Sequence, residues 1–220
     1  MKLDIDALLD LDRTIAKQAF EGLTYPWELL DGISDAIMAL GAQLSADEFE
    51  QTGDNIWIHK TAHVYPSVHI TGPCIIDEGA EVRHCAFIRG NAIVGKHAVV
   101  GNSTELKNVI LFDDVQVPHY NYVGDSILGY KAHMGAGSIT SNVKSDKSLV
   151  QVHANGEHIP TGRKKFGAIL GDFVEVGCNS VLNPGTVLGR GASVYPTSSV
   201  RECVPEGCIY KKQDKIVKRK

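Results

Sequence analysis

Apolar residues recur at every third or fourth position in two stretches before residue 50. They are Leu8, Leu11, Ile15 and Ala19 in the first stretch and Leu30, Ile33, Ile37 and Leu40 in the second. This spacing places them along one side of a helix. Gly22 and Gly41 follow the two stretches, and glycine is common just after a helix. The pattern predicts a small N-terminal α-helical hairpin with its linker over residues 1–50, which either covers a flank of the next domain or recruits a partner protein.

From Ile58 onward the apolar positions follow a different rule, with one large apolar residue at every sixth position. The series runs through Ile58, Val64, Ile70, Ile76, Val82, Ile88, Val94, Val100, Leu106 and Phe112, and it returns at Leu170, Val176, Leu182, Leu188, Val194 and Val200. A helix of about 3.6 residues per turn would scatter such positions around its surface. Short parallel strands that turn a corner at every sixth residue keep them all inside. We therefore predict a mainly β coil over residues 51–210.

The six-residue frame changes in two places. Phe112 and Leu128 are sixteen residues apart, four more than two steps, which predicts a loop excursion near residues 113–123. Between residues 141 and 168 the frame is kept, but the pair Asn155 and Gly156 predicts a long loop or a projecting hairpin. Loops on a rigid scaffold often carry function. We therefore expect the functional site between Gly101 and Asn142, beside both excursions.

The composition limits the class of protein further. With 220 residues and 43% hydrophobic content, the chain can bury the core of one domain with a small appendage. A net charge of -4 gives no general attraction to nucleic acid, although residues 211–220 form a basic C-terminal tail. The five cysteines have no CxxC spacing, which predicts buried, reduced thiols. No apolar run approaches the roughly 18 residues of a membrane helix, so we expect a soluble cytoplasmic protein without membrane contact.

The six-residue series resembles the hexapeptide repeat of left-handed parallel β-helix proteins. That resemblance implies a triangular prism with three strands in each coil. It also implies a homotrimer whose active sites lie in the clefts between neighbouring subunits. A homotrimer with inter-subunit sites is therefore our expectation.

Four runs carry a closer resemblance: GNSTELKN from residue 101, PHYNYVGDSILG from residue 118, GAGSITSN from residue 135 and PTGRKKFGAILGDFVEVGCNSVLNPGTVLG from residue 160. They resemble the acetyltransferase half of bifunctional sugar-1-phosphate enzymes, and especially the archaeal branch. The resemblance covers about residues 75–205. It implies acetyl-CoA as co-substrate and an aminosugar-1-phosphate, of the glucosamine-1-phosphate or galactosamine-1-phosphate class, as acceptor. The glycine-rich nucleotide loop of the other half does not occur in these residues, so we expect no pyrophosphorylase activity from them.

The resemblance also implies a role for individual residues. His119 occupies the place of the general base, and Glu105 that of a carboxylate near it. The implied substrate-binding residues are Arg89, Lys107, Tyr122, Asn142 and His133. The implied cofactor contact is Ala136, and Cys178 stands where many relatives have a serine that meets coenzyme A. Apart from the resemblance, the basic residues Arg163, Lys164 and Lys165 would add a second clamp for the phosphates of coenzyme A, and Lys211 or Lys212 is a further candidate contact.

These residue types suit the implied chemistry. A sugar amine must lose a proton as it attacks a thioester, and a histidine with an ordinary pKa of about 6.5 accepts one near neutral pH. Glu105 would hold the other ring nitrogen of His119. The backbone amides of residues 135–137 would approach the thioester oxygen, since glycine leaves the backbone uncovered. An arginine with a nearby lysine is an appropriate phosphate clamp.

Three features keep alternative interpretations open. His133 stands where the resembled family usually has an asparagine, and Ser148 where it has a lysine. The chain has nine histidines, and zinc-dependent relatives draw three of them into one site. His153 and His158 have a suitable spacing, but they lack a third partner, so no metal is predicted. The alternative to an enzyme is a non-catalytic trimeric scaffold protein that retains a sugar-phosphate pocket.

Overall fold

The computed structural model describes residues 1–212 and 215–218 and shows a mainly β chain. Residues 213, 214, 219 and 220 of the basic tail lie outside the described residues. The strands are β1 Phe49–Gly53, β2 Ile56–His59, β3 His63–Val64, β4 His69–Ile70, β5 Cys74–Ile76, β6 Glu81–Val82, β7 Phe87–Ile88, β8 Ala92–Val94, β9 Val99–Asn102, β10 Glu105–Leu111, β11 Gln116–His119, β12 Tyr122–Leu128, β13 His133–Met134, β14 Ile139–Thr140, β15 Gln151–Ala154, β16 Glu157–Pro160, β17 Ala168–Leu170, β18 Glu175–Val176, β19 Val181–Leu182, β20 Thr186–Leu188, β21 Ser193–Val194, β22 Ser199–Val200, β23 Cys208–Lys212 and β24 Lys215–Lys218.

Successive coils stack into three faces of parallel strands, which we call faces A, B and C. Face A contains β2, β5, β8, the second half of β10, the second half of β12, β17 and β20. Face B contains β3, β6, β9, β11, β13, β18, β21 and β23. Face C contains β4, β7, the first half of β10, the first half of β12, β14, β19 and β22. The predicted parallel β-helix with six-residue steps is confirmed.

Aliphatic side chains from the three faces fill the interior of the coil. Ile76 pairs with Val94, and Val94 with Leu111, and all three are fully buried. The six-residue step explains this stacking, because each step brings the next apolar residue back to an inward position. At Phe112 the expected frame is wrong by one residue. Leu111 takes the stacked position, and Phe112 is buried beside Phe20, with ring centroids 5.9 Å apart.

Residues 113–123 do not leave the coil as the predicted excursion. They continue it through β11 and β12, and the register changes for another reason. Early coils pair residue i with i+18, as in Ile76 with Val94, whereas Leu111 pairs with Leu128 at i+17. Two successive corners, which turn at Asn108 and Asp125, are each one residue shorter than the corresponding corner of the earlier coils, and both residues have positive φ. Two single-residue shortenings therefore produce the spacing that looked like an insertion.

The second excursion forms a hairpin that stands outside the coil. β15 and β16 are antiparallel, with Val152 opposite Ile159 and the Asn155–Gly156 pair at the turn. Across this insertion Leu128 pairs with Leu170, at i+42, and the coil resumes in register. Asn142 is the last coil residue before the insertion, and its carbonyl accepts from the Phe166 N–H on return. The insertion thus begins and ends at one corner.

The N-terminal segment has short helical turns and one longer helix. Its elements are α1 Ile5–Leu8, α2 Ile33–Gly41 and the 3₁₀ turns Leu11–Arg13, Lys17–Phe20 and Pro26–Asp31. The first expected helix is divided because its backbone bonds to the coil. The Asp172 N–H donates to the Leu8 carbonyl, and the Asp10 N–H donates to the Asp172 carboxylate. No helix among the described residues is long and apolar enough to cross a lipid bilayer.

This segment covers face A and shares its core. Trp27, Leu30, Ile33 and Ile37 are almost fully buried, and they belong to the same apolar cluster as the coil interior. The Trp27 ring lies 5.9 Å from that of Phe166, at the end of the insertion. Faces B and C therefore remain uncovered by the N-terminal segment.

Replacing Trp27 with alanine is expected to lower the free energy of unfolding by about 3–5 kcal/mol, because it removes a buried ring and leaves a cavity. Equilibrium denaturation in urea measures this loss. Met38→Ala is the matched control, since Met38 lies in the same segment but is 41% exposed, and its effect should stay within about 0.5 kcal/mol. Equal losses in the two variants would contradict the packing of this segment onto face A.

Candidate functional site

The predicted base and both predicted cofactor positions occupy one edge of the coil. This edge lies between faces B and C, and we call it the histidine edge, residues 118–121, 135–138 and 177–180. The Gly137 N–H donates to the His119 carbonyl at 3.0 Å, and the Asn179 N–H donates to the Ala136 carbonyl at 2.8 Å. These bonds stack His119, Ala136 and Cys178 on successive coils. The sequence places them 17 and 42 residues apart, and the parallel register brings them together.

A buried asparagine, Asn121, organises the backbone around His119 and was missed by the sequence reasoning. Its side chain is 2% exposed. Its Oδ1 accepts from the His119 N–H at 3.1 Å, and its Nδ2 donates to the Gly135 carbonyl at 2.9 Å and to Ser138 on the next coil. Asn121 therefore ties the turn of His119 to the turn of Ala136. In the sequence, Asn121 could have been recognised as a polar residue at a position of the six-residue repeat that is otherwise buried.

The three amides expected to approach an oxyanion differ in their availability. The Gly135 N–H donates to the Val176 carbonyl at 2.7 Å, and the Gly137 N–H is bonded to His119. Both serve the stacking of the coils, so the expectation for them is wrong. The Ala136 N–H has no acceptor among the described residues. One amide of the three is thus free to stabilise a developing negative charge.

Face C places the predicted phosphate ligands beside the histidine edge. Arg89 Nη1 donates to Glu105 Oε1 at 2.7 Å, and Glu105 is the direct strand neighbour of Tyr122. Glu105 therefore pairs with the arginine, whereas the sequence predicted that it would hold the ring of His119. The His119 side chain is exposed and has no hydrogen-bond partner in the described part of the chain.

A second polar group on face C surrounds Asp125, a buried residue that sequence reasoning also missed. Asn142 Nδ2 donates to Asp125 Oδ2 at 2.5 Å and to the Tyr122 hydroxyl at 3.2 Å. Lys107 Nζ lies 3.6 Å from Asp125 Oδ1. The pKa of Tyr122 is raised, mainly because burial disfavours the phenolate and then because of the charges of Asp125 and Glu105. This tyrosine therefore remains a protonated hydrogen-bond donor at neutral pH.

The structure places other predicted residues away from this group. His133 lies on face B, where its Nδ1 is 2.8 Å from Glu175 Oε2. The guanidinium of Arg163 is 9% exposed and pairs with Asp31 and with the Glu28 carbonyl. It fastens the insertion to the N-terminal segment, which corrects the prediction that it contacts coenzyme A. Lys164 is exposed.

The cysteines and histidines can be compared with the expectations for thiols and metals. All five cysteines are free, and burial raises the pKa of Cys74 and of Cys203 to about 12. Cys85 and Cys178 are exposed, so the expectation of buried thiols is wrong for them. His153 and His158 face each other across the hairpin, with ring centroids 4.3 Å apart. The described residues hold no group of three or more His, Cys, Asp or Glu suited to a metal ion.

Comparisons with known proteins identify the family to which this chain belongs. A family model described as the GMPPB C-terminal domain matches residues 70–209. The bifunctional protein GlmU of Methanococcus maripaludis is 33% identical over 218 residues, which cover 89% of this chain and 48% of the relative. The bifunctional sugar-1-phosphate nucleotidylyltransferase/acetyltransferase of Sulfurisphaera tokodaii is 29% identical over 174 residues, 71% of this chain and 43% of the relative.

The chain spans about half the length of the curated relatives it matches, and the similarity lies in their C-terminal half. Among solved structures, the polySia-specific acetyltransferase NeuO is 17% identical with a TM-score of 0.51. The match covers 72% of this chain and 80% of NeuO. That likeness supports the fold.

Asn121→Ala is expected to lower the free energy of unfolding by about 1–3 kcal/mol, because it leaves the His119 amide without its acceptor and removes the Nδ2 donor shared by the Gly135 and Ser138 carbonyls. Urea denaturation measures the loss. Asn102→Ala is the control, since Asn102 pairs with His119 across the strands but makes only exposed side-chain bonds, one to the His84 carbonyl and one from the Ser103 hydroxyl. A loss at Asn121 no larger than at Asn102 would show that Asn121 does not hold the edge together.

Proposed function

Because the chain belongs to the family described as the GMPPB C-terminal domain, we propose that it is an acetyl-CoA-dependent N-acetyltransferase of an aminosugar-1-phosphate. The observation that supports this most is the stacking of His119, Ala136 and Cys178 on one edge. That edge adjoins a face which carries two cations, a tyrosine and an asparagine. The relative from Sulfurisphaera tokodaii, a bifunctional sugar-1-phosphate nucleotidylyltransferase/acetyltransferase, supports this proposal.

The histidine edge would perform the acyl transfer. The amine nitrogen of the sugar attacks the thioester carbon, and His119 accepts the proton that the nitrogen loses. The carbonyl oxygen gains negative charge in the tetrahedral intermediate, and the free Ala136 N–H is the donor available to it. Collapse of the intermediate breaks the carbon–sulfur bond and releases the thiolate of coenzyme A, which takes up a proton. The products are the N-acetylated sugar phosphate and free coenzyme A.

The acceptor would bind on face C. Arg89 and Lys107 are the cations available for its phosphate, and each is already held by a carboxylate, Glu105 or Asp125. The Arg89–Glu105 pair is substantially exposed, so it costs little to share the guanidinium with a phosphate. Tyr122 and Asn142 would contact the sugar. In this assignment Glu105 orients Arg89 and does not touch the base.

Coenzyme A would extend along the histidine edge past Ala136 and Cys178. Toward the end of the coil the Lys211 ammonium lies 5.2 Å from the centre of the Tyr195 ring. An exposed aromatic ring and a cation suit an adenine base and a phosphate. The edge and faces B and C are free of the N-terminal segment. A homotrimer would place the site between two copies of the chain.

Incubation with acetyl-CoA and either glucosamine-1-phosphate or galactosamine-1-phosphate, followed by measurement of free thiol, tests the proposal. We expect turnover with at least one acceptor and a loss of about 100-fold or more in kcat for His119→Ala, the magnitude typical of a general base. His158→Ala on the hairpin is the control and should retain full activity.

Absence of turnover on every aminosugar phosphate would contradict the enzyme and favour a sugar-phosphate-binding scaffold. An unimpaired His119→Ala variant of an active protein would contradict the assignment of the base alone.

A further inference from the structure

Asp125 lies at a corner of the coil that is occupied by a polar residue on three successive coils. Asn91, Asn108 and Asp125 occupy this corner on three successive coils, and all three have positive φ. Asparagine adopts this conformation readily, so the backbone does not require an aspartate at the third position. Asp125 is nevertheless a carboxylate with only 4% of its surface exposed. A buried charge needs compensating partners, and the partners of Asp125 indicate its role.

The partners of Asp125 are two amides and a cation. Asn108 Nδ2 donates to Asp125 Oδ1 at 3.1 Å, and Lys107 Nζ lies 3.6 Å from the same oxygen. Asn142 Nδ2 donates to Asp125 Oδ2. A carboxylate accepts hydrogen bonds and donates none. The Asp125 carboxylate can therefore bond to the nitrogen of the Asn142 amide but not to its oxygen. This fixes the orientation of the amide, with Nδ2 toward Asp125.

The orientation of Asn142 then determines what the neighbouring groups can do. The second hydrogen of Nδ2 is used by the Tyr122 hydroxyl oxygen. Asn142 Oδ1 has no partner among the described residues and remains an acceptor. The Tyr122 hydroxyl already accepts from Asn142, so its own proton remains available for another group. Face C thus offers one acceptor, Asn142 Oδ1, and one donor, the Tyr122 O–H.

We propose that Asp125 is a positioning residue that sets the direction of hydrogen bonding in the acceptor site and so determines its specificity. The inference rests on the proposed function of face C. Asn142 Oδ1 then accepts a hydrogen bond from an N–H or O–H of the sugar, and the Tyr122 hydroxyl donates one to a sugar or phosphate oxygen. An asparagine at position 125 would bond equally well to either end of the Asn142 amide. The site would then no longer favour a sugar that presents an N–H or O–H donor to Asn142.

Asp125→Asn tests this role, because it keeps the shape and the backbone preference but removes the fixed polarity. We expect the KM for the aminosugar phosphate to rise about tenfold or more, the cost of an unsatisfied polar contact. The KM for acetyl-CoA should change less than about twofold, since that substrate is bound on the histidine edge. Asn91→Gly is the matched control. Asn91 lies at the same corner two coils earlier, has the same positive φ and bonds to Asn108 rather than to Asp125, so this variant should leave the KM for the aminosugar phosphate unchanged.

A second measurement does not depend on turnover. The negative charge of Asp125 contributes to the raised pKa of Tyr122, so Asp125→Asn should lower that pKa. Ultraviolet titration of the phenolate, with Tyr122→Phe to identify the signal among the seven tyrosines, measures the shift. Asn91→Gly should not produce this shift.

The outcomes distinguish the two proposals. Turnover by the wild type together with an unchanged acceptor KM in Asp125→Asn overturns the role of Asp125 and leaves the function intact. An unchanged Tyr122 titration in Asp125→Asn also overturns it, whether or not the wild type turns over. A raised acceptor KM together with a lowered Tyr122 pKa supports it. The double variant Asp125→Asn with Asn142→Asp again presents a hydrogen-bond acceptor at position 142. Its KM for the aminosugar phosphate should be lower than that of Asp125→Asn alone.

Discussion

The parallel stacking of one coil directly on the next is the constraint on which the candidate site depends. Backbone hydrogen bonds between coils hold each residue above its counterpart, and the buried aliphatic series keeps that alignment. At the histidine edge the approach is very close. A side-chain carbon added at Gly101 would lie 1.6 Å from the Pro118 carbonyl oxygen, so only glycine fits there. Residues distant in sequence, such as His119, Ala136 and Cys178, thereby lie in one column on three successive coils.

The shortened corners at Asn108 and Asp125 are the local departure that gives face C its chemistry. At the second of these corners Asp125 is buried beside Lys107 and Asn142. The same corner connects the site to the N-terminal segment, because Asn108 Nδ2 donates to the Leu30 carbonyl at 2.9 Å as well as to Asp125. The segment that covers face A thus shares a side chain with the polar group on face C. The fold and the site are joined through this amide.

The regular part of the fold could be predicted from the sequence, because six-residue spacing has a single physical explanation in a coil with inward aliphatic residues. The irregular part could not. A spacing of sixteen residues is compatible with an inserted loop or with shortened corners, and the apolar Phe112 kept the wrong frame plausible. Arg163 looked free for a ligand, since its partner Asp31 lies 132 residues away and no local pattern reports that contact. Asp125 and Asn121 escaped notice for a related reason: their roles follow from coils stacked above and below, which periodicity alone does not reveal.

The electrostatics of face C show how a protein with net negative charge can hold cations ready for a phosphate. Glu105 and Asp125 each keep one cation in place before any ligand arrives, which reduces the ordering required on binding. The two ion pairs differ in how strongly the carboxylate holds its cation. The Arg89–Glu105 pair is exposed, with 44% and 34% of the side chains accessible, whereas Asp125 is 6% accessible beside Lys107. An exposed pair contributes little and is easily rearranged, while a charge beside a buried carboxylate is costly to remove. In the proposed function, Arg89 is therefore the cation that would turn toward a phosphate, and Lys107 is the fixed charge that would determine where the phosphate lies.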